Sequence, residues 1–381
     1  MSLPNIPVFR PSITEEEIAA VAEVLRSGWL GQGPRSEQFQ QEFARFSGVP
    51  YAVGVNSCTA ALHLALSCLG VGKGDAVVVP ALTFVSTAHV VIYQNAQPIL
   101  ADVDPVTLCL RVQDVEKVIT PKTRAIIVVH YGGQPARLSE LVQFCTERKI
   151  HLIEDCAHAC GASYYQKPVG GWGDAGCFSF QAIKNLTTGD GGMLTLRDKR
   201  LAKIAHQEAW LGISSSTWER VEGAEKMYSW EYAIDRIGYK YHMNDIMAAI
   251  GLVQLKRLPE MNGRRREIAG RYHEAFAGLG WLDVPREMTN TVRSWWNYPI
   301  RVPAEHRTRL VDHMRSQGIS VGVHYKPLHL QECYKYLHAH VPVTDREWER
   351  LVSLPIFPDL TDDQQQMVIN AVGQFGRTHG L

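Results

Sequence analysis

Arg124-Ala-Ile-Ile-Val-Val129, the stretch Leu138 to Arg148, and His151-Leu-Ile-Glu-Asp155 follow one another near the middle of the chain. The first and last are short apolar runs rich in β-branched residues. They predict strands buried on both faces, and the stretch between them predicts a helix. The same alternation extends outward in both directions. Residues 60–66 predict a helix that ends at Gly70, residues 76–79 a strand, residues 86–94 a helix, and residues 98–102 a strand. Residues 177–180 and 193–196 predict two more strands. Strands alternating with helices give an α/β fold with a largely parallel sheet covered on both faces.

Two helices precede this region. Ser12-Ile-Thr-Glu15 matches a capping box with Ser12 as N-cap. Ile18, Val21 and Leu25 then recur at helical spacing before Gly28. Residues 36–47 place Phe39, Phe43 and Phe46 on one face and end at Gly48. Beyond about residue 255 the pattern changes. Lys256-Arg257 and Arg264-Arg265-Arg266 lie on a long helical stretch and read as a solvated face. A strand at 298–302 and helices at 305–317 and 362–375 then predict a smaller α+β unit. The expected division is a large α/β domain over residues 1–255 and a small domain over 256–381, with the N-terminal helix able to pack on the small one.

A chain of 381 residues is too long for one simple core, which agrees with two lobes. At 45% apolar and 20% charged residues it has an ordinary soluble composition. Its 39 basic and 39 acidic residues cancel, so no charge excess calls for nucleic acid or an anionic membrane. No apolar run is long enough to span a bilayer, and the first ten residues lack the apolar core of a secretory signal. The expectation is a cytoplasmic protein whose eight cysteines are reduced thiols.

Chemistry concentrates in Gly176-Cys-Phe-Ser-Phe-Gln-Ala-Ile-Lys184-Asn-Leu-Thr-Thr-Gly-Asp-Gly-Gly192. Lys184 follows a strand and precedes a glycine-rich turn. A lysine held in an apolar pocket loses its proton more readily and can form a Schiff base. Most lysines are solvated surface groups, so the weight rests on its setting. Asp155 ends another strand, where open parallel sheets bind ligands. On its own it would be a turn aspartate. Paired with Lys184 it could keep a pyridine nitrogen protonated. Asn56-Ser-Cys-Thr-Ala-Ala61 opens a helix whose free amides suit a phosphate, or it is simple capping by Asn56 or Ser57. Ser179 could add a hydroxyl there. Phe84 could stack on a planar ring or belong to the core.

Two motifs mislead. Gly171-Trp-Gly-Asp-Ala-Gly176 fits G-x-G-x-x-G, but a strand follows it where a dinucleotide site needs a helix. Cys156, His158 and Cys160 resemble a metal cluster, but no second Cys/His pair completes a zinc site.

With these segments in place, the chain resembles the DegT/DnrJ/EryC1/StrS sugar aminotransferases, pyridoxal phosphate enzymes of the aspartate aminotransferase fold (fold type I). The resemblance runs in order through Ser27-Gly-Trp-Leu-Gly-Gln-Gly-Pro34, Asn56–His63, Pro80-Ala-Leu-Thr-Phe-Val-Ser86, Ile153–Ala159 and Phe178–Asn185 with Gly189-Asp-Gly-Gly192. It continues through Gly238-Tyr-Lys-Tyr-His-Met-Asn-Asp245, Val323-His-Tyr-Lys-Pro-Leu-His329 and Ser353-Leu-Pro-Ile-Phe-Pro358. It implies that Lys184 forms the Schiff base, Asp155 pairs with the pyridine nitrogen, Phe84 stacks on the ring and His158 lies near its phenolate edge. Thr59, Ala60 (through its amide) and Ser179 would hold the phosphate. Family members are homodimers with shared sites, so Lys240, where many members have Asn, would reach the partner's phosphate. Trp29, His324, Tyr325 and His329 would face the sugar nucleotide. Gln181 stands where many members carry His. Lys184 argues against the sugar 3-dehydratase branch, which has histidine there.

The resemblance implies transamination from L-glutamate to a nucleotide-linked keto-6-deoxysugar, with pyridoxamine phosphate as the intermediate cofactor form. Lys184-Asn-Leu-Thr-Thr-Gly differs from the Lys-Asn-Leu-Gly continuation frequent among members acting at C3, which favours C4. The alternatives are a C3 or keto-inositol acceptor, or a non-catalytic binding or regulatory protein on the same scaffold.

Overall fold

The computed structural model describes residues 5–214 and 232–381. Its centre is a seven-stranded sheet in the order β1-β9-β8-β5-β4-β2-β3. The strands are β1 (Tyr51–Val55), β2 (Ala76–Pro80), β3 (Gln97–Ala101), β4 (Thr123–Val129), β5 (His151–Asp155), β8 (Ala175–Ser179) and β9 (Gly192–Leu196). Two-residue strands β6 (Ser163–Tyr164) and β7 (Lys167–Pro168) lie between β5 and β8 in sequence. From β3 to β8 all neighbours are parallel; β9 runs antiparallel to both β8 and β1. Alternate residues feed opposite cores. Val78, Ile126 and Val128 pack with Phe39, Phe43 and Leu252, whereas Val77, Val79, Ile127 and Ile153 pack with Leu62 and Leu66. Burial on both faces is why the strands read as continuous apolar runs.

The predicted strands all form, with ends shifted by a residue or two. β1 is the addition. Tyr-Ala-Val-Gly-Val carries two weak strand formers, and its conformation comes from pairing along its whole length with β9. The first helix, α1 (Glu15–Ser27), has its capping box two residues later than expected. Thr14 is the N-cap and Glu17 returns the bond to the Thr14 amide at 2.8 Å. Ser12 is drawn away by Asp359, 2.9 Å from its hydroxyl.

The second helix, α2 (Pro34–Ser47), starts after Gly33, which has no side chain to cap it. Asp245 caps it from a distance. Its carboxylate accepts the amides of Gly33 (2.9 Å), Arg35 (3.1 Å) and Ser36 (2.9 Å), and the Ser36 hydroxyl at 2.6 Å.

The remaining helices that matter here are α3 (Cys58–Cys68), α4 (Ser86–Tyr93), α5 (Val112–Glu116), α6 (Leu138–Arg148), α7 (Lys199–Ala209), and the long α8 (Asp245–Phe276). Leu252, Leu255, Leu258 and Met261 of α8 lie in the large core, while Ile268, Tyr272 and Phe276 lie in a separate core. That core also contains strands β10 (Tyr298–Arg301) and β11 (Leu351–Leu354) and helices α9 (Ala304–Ser316) and α11 (Asp362–His379). The change of surroundings therefore falls within one helix, between Met261 and Ile268.

The lobes also exchange segments. Ile6 bridges to Ile319 in the small-lobe core. Leu328, Tyr334 and Val341 return to the large one. Asp102 then caps α10 (Pro342–Arg350) through the Val343 and Thr344 amides at 2.8 and 2.7 Å.

The G-x-G-x-x-G segment is structural. Glu154, fully buried, accepts the amides of Gly170 (2.8 Å), Trp172 (2.7 Å) and Gly173 (2.8 Å) and faces His130 Nε2 at 3.2 Å. A Cβ on Gly173 would lie 2.4 Å from the Leu152 carbonyl oxygen, and one on Gly176 would lie 2.4 Å from Gly170 Cα. The glycines let a loop close on β5 and β8.

Asp245 is 2% exposed, so losing its carboxylate strands several donors. Asp245→Ala should lower unfolding stability by roughly 3 kcal/mol, and Asp245→Asn by less, as measured by urea denaturation.

Candidate active site

The carboxyl ends of β2, β5 and β8 open into a cavity of about 430 Å³. This is where a parallel sheet leaves room between its connections. β5 delivers Asp155 to it, the chain after β8 delivers Lys184, and the turn after β2 delivers Phe84. The start of α3 adds Thr59, Ser179 ends β8, and His158, His324 and Tyr325 complete the wall.

Asp155 is buried and its carboxylate is held from both sides. The Ala157 amide (3.1 Å) and the Cys58 thiol (3.9 Å) donate to Oδ1, and the Thr87 hydroxyl (3.0 Å) donates to Oδ2. Thr83 lies 2.9 Å behind Thr87. Burial pushes the Asp155 carboxyl up, against the pull of Ala157, Thr87 and Lys184. A cation placed at this carboxylate would favour its ionised form.

Lys184 ends a turn in which its amide donates to the Gln181 carbonyl at 2.9 Å. Burial pushes its ammonium down to about 8, and Cys58 and Asp155 pull the other way. Nζ lies over the Trp296 ring, 4.2 Å from its centroid.

His158 stacks on the same Trp296 at 3.8 Å with the planes 2° apart. Its Nδ1 accepts the Gly132 amide at 3.4 Å, so the proton sits on Nε2 and points to the Tyr325 hydroxyl at 2.9 Å. Burial, with Lys184 and His324 nearby, pushes His158 well below the usual histidine range. The Tyr131 hydroxyl donates to the His324 carbonyl. The ring of His324 is held by Ser353 at 2.9 Å and is pushed down to about 4, mainly by burial.

Phe84 is 54% exposed yet lines the cavity, 5.7 Å from the Tyr325 ring. A half-bare aromatic on a cavity wall is a face available for stacking. At the start of α3, Ser57 Oγ already takes the Ala60 amide at 3.1 Å. Ser57, Cys58 and Thr59 line the cavity while Ala60 does not, and the Thr59 hydroxyl lies 2.8 Å from Ser86 Oγ.

Other predicted residues lie outside the lining. Trp29 donates to the Gln32 carbonyl at 3.1 Å. His329 pairs with Asp345 at 2.8 Å. Lys240 lies on the Trp210 ring, 3.6 Å from its centroid, while its carbonyl accepts from Asn56 Nδ2 at 3.3 Å. Cys156 parts from His158 and instead lies beside His130 and Glu154, the group of potential metal ligands that meets among the described residues. There four donors fill the Glu154 oxygens.

The chain matches the DegT/DnrJ/EryC1/StrS aminotransferase family over residues 11–373. It belongs to that family. A spore coat polysaccharide biosynthesis protein of Bacillus subtilis, SpsC, is 40% identical over 376 residues, 96% of each chain. The aminotransferase TlmJ of Streptoalloteichus hindustanus superposes with a TM-score of 0.92 at 37% identity, covering 99% of this chain and 100% of that one. Spr1654 of Streptococcus pneumoniae, known in PLP and PMP forms, is 32% identical; its PMP form gives a TM-score of 0.92 over 98% of this chain and 100% of that one. This DegT/DnrJ/EryC1/StrS member is thus a pyridoxal phosphate-dependent aminotransferase on the fold type I scaffold.

The sequence reading missed Cys58, Thr87 and Trp296, which line the cavity of this aminotransferase, and Tyr131, which holds the His324 carbonyl behind it. Thr83 lies in the bend before α4 and Thr87 in its first turn, so helical spacing would not have paired their hydroxyls. Trp296 gave no local signal, because it reaches the site from a different lobe.

A histidine held neutral this way should keep its Nε2-protonated tautomer from about pH 8 down to about pH 6 in histidine-labelled NMR spectra. His158 and His324 are both depressed on folding, so the unfolded chain takes up their protons first. Stability should therefore hold above about pH 6.5 and fall below it, as followed by melting temperature against pH.

Proposed function

We propose that this aminotransferase moves the amino group of L-glutamate to the C4 keto group of a nucleotide-linked 6-deoxysugar, alternating between pyridoxal and pyridoxamine phosphate. The carrying observation is the meeting of Lys184 and a buried Asp155 in one cavity with Phe84 on its wall. The sugar acceptor is supported by solved neighbours such as the sugar aminotransferase CalS13 of Micromonospora echinospora, and by SpsC's part in polysaccharide biosynthesis.

The residues present fit the cofactor. The buried Asp155 carboxylate is aimed into the cavity and suits the ring nitrogen. The exposed Phe84 face suits the ring. Thr59, Ser179 and the start of α3 suit the phosphate, with the Thr59 amide taking precedence over Ala60, whose amide is already bonded to Ser57. When bound, pyridoxal phosphate supplies an electron-accepting ring that stabilises carbanion charge. Asp155 keeps the ring nitrogen's proton. His158, locked in one plane by Trp296, offers a fixed edge to the phenolate side. Lys184 moves a proton at Nζ between the donor carbon and the cofactor, and an ammonium near 8 can do so in either direction around neutral pH.

Lys240 would act at a site shared with a second copy, and Trp29 and His329 would face the sugar nucleotide. Lys240 lies away from its own cavity lining, and the apolar Ile234 and Ile237 are exposed, Ile237 by 89%. His324 and Tyr325 would meet the sugar nucleotide. No helix among the described residues is long and apolar enough to cross a membrane. The eight cysteines are free thiols, as a cytoplasmic protein's would be.

Purified protein with pyridoxal phosphate should show a visible-edge band that L-glutamate bleaches, and Lys184→Ala should lose both band and turnover. An alanine variant that keeps the band would refute the role of Lys184. A screen of nucleotide-linked keto sugars with glutamate, with the product's amino position read by NMR, tests the acceptor. Amination at C3, or of a keto-inositol alone, would overturn the C4 assignment.

A further inference from the structure

Trp296 belongs to none of the motifs that carry the family resemblance, yet it touches His158, His324, Tyr325 and Lys184. It is almost fully buried. Phe9 stacks on it at 4.8 Å and His158 at 3.8 Å, and His324 meets it edge-on at 5.2 Å. Its Nε1–H donates to the carbonyl of Ile183, the residue before Lys184, at 3.0 Å. Lys184 Nζ lies over its ring, 4.2 Å from the centroid.

We infer that Trp296 is a positioning residue for Lys184, whose indole face holds the lysine as an ammonium during the part of the reaction in which the lysine is not joined to the cofactor. An indole attracts a cation through its quadrupole and has no such hold on a neutral amine. The contact therefore acts on one protonation state. It opposes the burial that drives the proton off, and it keeps Nζ near the reacting atoms once the covalent link is gone. The Nε1–H bond to Ile183 fixes the indole against the same turn that carries Lys184, so platform and lysine move together.

Other charged or titratable groups face Lys184. They are Asp155 at the end of β5, Cys58 at the start of α3, His158 after β5, His324 and Tyr325 from the small-lobe return segment, and Asp190 from the glycine-rich turn. His158 and His324 are held neutral, and Asp155 and Cys58 favour the ammonium from the sheet side. Trp296 adds an uncharged attraction from the other side.

This inference rests on the proposed proton-carrying role of Lys184, and the two can fail separately. The full-length protein loaded with pyridoxamine phosphate leaves the Lys184 amine free. Its rate of acetylation by limiting acetic anhydride, followed at the Lys184 peptide by mass spectrometry across pH, gives the midpoint of its titration. That reading needs no turnover. Trp296→Leu, which removes the π face and the N–H, should lower the midpoint by about one pH unit. Trp296→Phe, which keeps a π face and loses only the N–H, should shift it by less. Trp296→Met makes the same comparison if the leucine variant does not fold. An unchanged midpoint in the leucine or methionine variant overturns the inference. Equal shifts in the phenylalanine and leucine variants also overturn it, because the N–H bond alone would then account for the effect.

Discussion

The Glu154 carboxylate is the contact on which the site depends. It lies inside the protein with three backbone amides and one imidazole on its two oxygens, so its desolvation is offset by hydrogen bonds at every lone pair. Successive strand residues point to opposite faces. With Glu154 fixed toward the glycine loop, Asp155 must point the other way, into the cavity. The loop held by Glu154 leads directly into β8, whose end presents Ser179 and then Lys184. One buried carboxylate thus sets both the direction of Asp155 and the path by which Lys184 arrives.

Around that frame the site is tuned by burial more than by ion pairs. Among the described residues no carboxylate lies within salt-bridge distance of Lys184, which is lowered by desolvation. Asp155 is raised by the same cause, and His158 and His324 are kept neutral. Burial of this kind strengthens any charge–charge or charge–π contact formed there. The contacts of Asp155 with Thr87 and Cys58, and of Lys184 with Trp296, therefore weigh more than they would on the surface.

Much of this was legible in the sequence, and the exceptions share a cause. Buried parallel strands announce themselves through unbroken apolar runs, and a lysine and an aspartate each placed after such a run were bound to meet at the same edge of the sheet. The motif order pointed to the family. What local pattern could not give was anything supplied from far along the chain. β1 is a strand because β9 pairs with it. α2 is capped by Asp245, α1 begins at Thr14 because Asp359 takes Ser12, and Trp296 enters the site from the small lobe. The change of core within α8 falls some residues past the expected boundary at 255, because the helix pattern continues without a break while the neighbours it packs against change.

The exchange of segments between the lobes has a consequence for how the chain is made. Ile6 is made well before its bridge partner Ile319 and its core neighbours Val368 and Phe375. The large sheet has all its strands by Leu196, so it can assemble while the chain is still growing. The small lobe cannot complete its core until the last helix is free. The N-terminal segment must meanwhile wait beside an assembled sheet, with its apolar side chains unsatisfied. The order of synthesis thus runs against the order in which this segment finds its place, and its docking joins segments far apart in sequence.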